Sequence, residues 1–190
     1  ALYPLVERLA EQTDTRLRLR AEVLAGSWEC LEDGRADLLI SSLNADIAMT
    51  GIKHQVLREE VMLYVAHPDH PLHQEPEPLA DETLRRYRAI AVADTALRKP
   101  VLTYRLLDKQ PRLTVSTMGE KRDALLAGLG IGTMPQRWIE EDIKAGRLKV
   151  ISPEYRHQIQ VVLAWRRDTM GKAKSWLVRE IPKLFAGQGE

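Results

Sequence analysis

The 190 residues carry 44% hydrophobic side chains, enough to bury a real core in one domain or two small lobes. Lys and Arg number 28 against 27 Asp and Glu, so the chain lacks the basic field that holds a phosphate backbone, and DNA binding by this segment alone is not expected. One cysteine, Cys30, excludes an internal disulfide framework and suits a reducing compartment, while no apolar run approaches the roughly 18 residues of a membrane span.

Leu2, Leu5, Val6 and Leu9 recur on one helical face, predicting an amphipathic helix over 2–12 that Thr13 and Asp14 end. Leu17, Leu19, Ala21 and Val23 then alternate with Arg16, Arg18, Arg20 and Glu22, the period of a strand with one apolar and one basic face. Ser27 is placed as the cap of a helix over Trp28 to Glu32, closed by Gly34. The run Asp37 to Ser42 predicts a short strand buried on both faces, residues 43–55 read as irregular, and Glu60 to Ala66 forms a longer strand. Prolines at 68, 71, 76 and 78 make the best internal boundary, since they interrupt regular structure.

Beyond it the pattern repeats: a helical turn over 80–86, strands at 87–93 and 112–116, and a helix from Thr117 or Met118 to Ala127 closed by Gly128 and Gly130. A strand at 131–134, a helix from Pro135 to about 146, strands at 148–151 and 158–165, and a helix over 172–185 that Pro182 kinks or restarts complete the chain. Strands alternating with helices predict an α/β fold.

In such sheets ligands lie outside the carboxyl ends of strands, where helix N-termini present free N–H groups. Ser27 and the run Ser116, Thr117, Met118 open two such termini, each also explained by plain capping. Ser42, Asp94, Thr95 and Thr133 follow apolar strands and are further ligand candidates, though short polar residues favour turns anyway. Tyr64 offers a ring for stacking, or serves equally as a core tyrosine. His67, His70 and His73 recur beside Asp69, but Pro68 and Pro71 prevent the helix that would align them, so a surface loop is preferred to a metal site. Gly128, Gly130 and Gly132 end a helix instead of opening one, which rejects a dinucleotide loop. No Gly-x-Ser-x-Gly elbow exists and Cys30 has no base nearby in sequence, so no catalytic residue, cofactor or metal is assigned.

Four stretches in this order and spacing, Leu31 to Ile40, His67 to Leu72, Ala124 to Gly132 with Pro135, and Leu163 to Arg167, resemble the effector-binding domain of LysR-type transcriptional regulators. Val92 to Thr95 and Gln110 to Thr117 resemble one subgroup of that family. The resemblance implies two Rossmann-like lobes of the type 2 periplasmic-binding-protein fold joined by two crossing strands, near Tyr64 to Pro68 and Gln158 to Val162. Lobe I would be 1–66 plus 162–190 and lobe II 67–161, with a small aromatic or carboxylate effector held in the interlobe cleft. It also implies a cytoplasmic, non-enzymatic sensor that forms homodimers through the helix at 2–12 and the partner's helix near 117–128, and homotetramers at full length. Promoter DNA would be reached only through an N-terminal winged helix-turn-helix. That head and the family's first lobe strand are missing here, and the abrupt start inside a helical pattern reads as a fragment. A transporter's solute-binding protein and an enzyme on the same scaffold are the alternatives.

Overall fold

The computed structural model describes residues 2–43, 50–98, 106–167 and 170–187. In chain order the elements are α1 (Tyr3–Ala10), α2 (Ala25–Glu32), β1 (Leu38–Ser42), β2 (Ile52–Ala66), α3 (Asp81–Arg85), β3 (Ala89–Val92), β4 (Arg112–Val115), α4 (Met118–Leu126), β5 (Ile131–Pro135), α5 (Gln136–Lys144), β6 (Lys149–Val150), β7 (His157–Arg166) and α6 (Lys172–Ala186). They divide into two compact units. One takes the described residues of Ala1–Glu59, Thr95–Val101 and Gln160–Glu190, the other those of Glu60–Asp94 and Leu102–Ile159. The chain changes unit inside β2 and inside β7, and the proline-rich stretch lies within the second unit.

In the first unit β1 pairs antiparallel with β7, from Leu38 opposite Trp165 to Ser42 opposite Val161. Successive side chains point to opposite faces, and both faces are covered. Leu39, Val162 and Ala164 pack with Trp28 and Leu31 of α2, whereas Leu38, Ile40, Leu163 and Trp165 pack with Leu5 of α1 and Ile181, Leu177 and Phe185 of α6. This is why the sequence of β1 reads as an unbroken apolar run instead of an alternating one. Arg8 joins α1 to α6 by an ion pair with Glu180 at 2.8 Å and lies over the Trp176 ring. Pro182 is accommodated inside a continuous α6.

In the second unit the strand order is β2, β5, β3, β4, with β6 also on β2. β5 is antiparallel to β2, and β3 is parallel to both β4 and β5. The period of two again divides the core. Leu63 and Val65 meet Leu125, Met134, Ile139 and Leu148, while Tyr64 and Ala66 meet Leu72, Leu79, Leu84 and Ile151. Gly128, at φ +71°, supplies the left-handed residue after α4, and Gly130 lets the chain pass where a Cβ would lie 2.2 Å from the Arg88 carbonyl oxygen.

Three expectations need correction. The alternating run Leu17 to Val23 is not a strand: a period-two pattern becomes a strand only where a neighbour supplies a ladder, and among the described residues it meets only Thr95 at its Val23 end, leaving Leu19 56% exposed. The region expected to be irregular over 43–55 already belongs to β2 from Ile52, with 44–49 outside the described residues. α2 begins at Ala25, not after Ser27, so Ser27 lies inside its first turn, and the preceding residue is Leu24 at φ 50°.

Asp142 locks α5 to the rest of the second unit. Its buried carboxylate accepts from Arg122 at 2.7 and 2.8 Å and from Arg147 at 3.0 and 2.6 Å. Burial pushes this carboxyl up, but the two guanidiniums outweigh it and hold it below the ordinary carboxylate range. The folded state therefore binds this proton less readily than the unfolded chain. The stabilisation is present above the unfolded pKa and is lost as pH falls through the folded one. Asp142→Asn is expected to lower stability at pH 7 by about 2–3 kcal/mol and to flatten the acid limb of a urea-midpoint versus pH curve; an unchanged acid limb would show that another group dominates it.

Candidate functional site

In the first unit the structure gathers Ser27, Thr95 and, at the end of β1, Ser42 around α2. Thr95 Oγ1 accepts from the Val23 amide at 2.9 Å and donates to the Val23 carbonyl at 3.3 Å, so the chain just before the helix is tied to residue 95. Gly26 permits this close approach, since a Cβ there would lie 2.2 Å from Thr95 Oγ1. Ser27 is 3% exposed, and the Ser42 carbonyl accepts from Trp28 Nε1 at 3.3 Å. Glu29, unremarked in the sequence, holds the neighbouring segment: its buried carboxylate accepts from the Leu97 and Arg98 amides at 3.1 and 3.0 Å and from Arg35 at 3.4 Å. An acidic residue on the apolar side of a helix, one position after Trp28, was the available signal.

In the second unit the remaining candidates take different surroundings. Ser116 and Thr117 are exposed and Met118 is half-buried at the start of α4. This N-terminus is closed by its own residues in a capping box. The Glu120 amide donates to Thr117 Oγ1 at 3.1 Å, and the Glu120 carboxylate accepts from the Ser116 and Thr117 amides at 2.7 and 3.3 Å. The spacing Thr117-x-x-Glu120 announces this motif in the sequence. Asp94 follows β3 and is half-buried. Tyr64 and Thr133 are 4% exposed and face each other across the β2 and β5 ladder. Both line a cavity of about 10 Å³ together with Lys121, Gly132, Ile90 and Ile131. Tyr64 also packs edge-on against Tyr155, with ring centroids 5.4 Å apart.

Lys121 was missed because a lysine in a helix ordinarily marks its wet face. Its spacing from Ala124 and Leu125 places it on the buried face, where it is 6% exposed. Burial alone lowers its pKa to about 8. The histidines, by contrast, are spent locally: His67 and His70 accept through Nδ1 from the Asp69 and Leu72 amides at 3.3 and 3.2 Å. Burial first, then the neighbouring His73 and His67, lower the His70 pKa. Among the described residues no group of three His, Cys, Asp or Glu side chains is placed to hold a metal ion.

The elements, their faces and the motif words now stand together, and residues 1–186 match the LysR substrate binding domain. The chain belongs to this family. The probable HTH-type transcriptional regulator YhaJ of Escherichia coli K12 is 56% identical over 188 residues, covering 99% of this chain and 63% of that protein. The HTH-type transcriptional regulator PunR of the same strain is 30% identical over 169 residues, 87% of this chain and 54% of that protein. The chain thus spans less than two thirds of these curated relatives. Among solved structures, full-length LysG from Corynebacterium glutamicum with bound effector Arg has a TM-score of 0.72 at 16% identity, covering 97% of this chain and 62% of that one. The bromide-bound regulatory domain of HypT from Salmonella typhimurium has 0.64 at 18%, covering 98% and 91%. The fold is therefore that of LysR regulatory domains, a mixed α/β architecture of the type 2 periplasmic-binding-protein kind. The relatives reported are transcriptional regulators, and the solute-binding protein of a transporter gives way as an alternative.

The Glu29 carboxylate is predicted to order residues 97 and 98 of this LysR-type domain. Glu29→Ala should cost about 1–3 kcal/mol and speed amide exchange at Leu97 and Arg98 more than in α6. Equal loss of protection everywhere in hydrogen-exchange mass spectrometry would reduce the residue to general stability.

Proposed function

We propose that this chain is the ligand-sensing part of a LysR-type transcriptional regulator, without catalytic activity of its own, whose effector is a small aromatic or carboxylate molecule. The family match over residues 1–186 carries this reading. The bound effector in the LysG structure supports it by fold likeness, as does a second-unit cavity edged by two of the candidates, Tyr64 and Thr133. The ligand-facing residues are Ser27, Ser42 and Thr95 of the first unit and Tyr64, Asp94, Ser116, Thr117, Met118 and Thr133 of the second. A sensor needs only a difference in effector affinity between two states, about 1–3 kcal/mol in ordinary cases.

The complete regulator would work in the cytoplasm and meet promoter DNA through a separate winged helix-turn-helix. This domain would pair with a second copy through α1 and the partner's α4, and the complete protein would form a tetramer. In the described residues no helix is long and apolar enough to cross a membrane.

Thermal-shift screening against aromatic acids, phenols, aliphatic carboxylates and arginine is the direct test. A saturable one-to-one hit should stabilise by about 2.7 kcal/mol at 100 times its dissociation constant. Thr117→Ala should cost about 1 kcal/mol through the lost cap whatever the ligand. A contact role adds a weaker ligand-induced shift measured from the variant's own baseline. Silence across the panel, with calorimetry in agreement, would sink the small-molecule reading.

A further inference from the structure

Lys121 carries a charge for which no described residue supplies a counter-charge. Its side chain runs from the first turns of α4 across Gly132, where an added Cβ would sit 2.9 Å from Cε and 3.4 Å from Nζ. Gly132 thus leaves the room in which the amine lies. The side chain is 6% exposed, and burial alone lowers its pKa, with no charged or hydrogen-bonding neighbour contributing. The other charged groups of α4 are engaged elsewhere: Glu120 in the capping box, Arg122 with Asp142, and the exposed Asp123 with Arg122 at 3.9 Å. β3 and β5 carry no titratable side chain, Arg112 of β4 is exposed, and Tyr64 of β2 is the remaining titratable group at the cavity.

A pKa of about 8 still leaves the amine roughly nine-tenths protonated at pH 7, so a neutral filler does not describe it. The adjoining cavity of about 10 Å³ has room for one water-sized atom, and the buried Thr133 hydroxyl lies on its wall. We propose that Lys121 is the counter-charge of a small-anion subsite in the second unit, taking a halide ion or one oxygen of a carboxylate into the cavity lined by Gly132 and Thr133. This deepens the effector-binding reading and rests on it: the head of the effector would be anionic, and Lys121 would select for that charge. The Glu120 carboxylate, for its part, is held by the Ser116 and Thr117 amides just before α4.

The test is a titration of the 190-residue chain, labelled with carbon-13 at lysine Cε, with sodium chloride and separately with sodium acetate. Ionic strength is held by a bulky sulfonate, at pH 7 and pH 9.5. One lysine resonance, absent in Lys121→Met and titrating near 8, is expected to shift saturably at pH 7. Affinity should fall about tenfold for each pH unit above the amine's pKa, because the anion binds the protonated form. A shift with chloride alone assigns a free inorganic ion, and one with acetate assigns a carboxylate head. Lys121→Met should fold, since an apolar chain of similar length removes an unpaired buried charge; were it not to, the titration near 8 identifies the resonance in the unsubstituted protein. A Lys121 resonance that neither anion moves at pH 7, or moves equally at both pH values, overturns the proposal. A neutral or cationic hit in the thermal-shift screen that leaves this resonance in place would overturn the subsite while the effector reading stood.

Discussion

Strand β1 and the second halves of β2 and β7 must cover two faces at once, and the packing of both units follows from that constraint. In β1 and β7 the odd and even residues require different helices, α2 on one side and α1 with α6 on the other. In β2 the same rule sends Leu63 and Val65 toward α4 and α5 and Tyr64 and Ala66 toward the irregular chain around Leu72 and Leu79. A one-residue slip in β2 would exchange these two sets, so register is strongly specified. Once β2 and β7 are fixed in this way, the chain passes twice from one unit to the other within continuous strands.

Polar side chains buried at the ends of these elements fall into two kinds. Glu29 and Asp142 are charges whose partners are supplied by the fold itself, an amide pair and arginine in one case and two guanidiniums in the other. They fasten an irregular segment and a helix, respectively, and need nothing from outside. Lys121 is desolvated to a similar degree but receives no such partner among the described residues. A low-dielectric setting that strengthens the paired charges makes the unpaired one a candidate for ligand recognition.

The α4 terminus shows how the same geometry can be spent on stability. Free amides at a helix N-terminus attract anions, and here Thr117 takes the Glu120 amide while the Glu120 carboxylate takes the Ser116 and Thr117 amides just ahead of the helix. A ligand carboxylate at Ser116 or Thr117 would have to displace Glu120, whereas the first unit ties α2 to Thr95 through the Val23 backbone. The two helix starts that look alike in sequence are therefore different surfaces.

Helices α4, α5 and α6 and strands β1 and β3 to β5 were legible because their periodicity and end signals are local, as were the family words at Leu31 to Ile40 and Ala124 to Gly132. The sequence by itself determined the α/β class, the family and the absence of a disulfide framework, since one cysteine, alternating elements and motif spacing need no neighbours to be read. Tertiary structure alone decided that Leu17 to Val23 lacks a ladder, that α2 starts before Ser27, and that Glu29 reaches across 68 residues to Leu97. It also decided that Lys121 faces inward without a counter-charge among the described residues. Strand pairing, helix entry and the solvation of a charge all depend on groups distant in the chain, and no local pattern contains them.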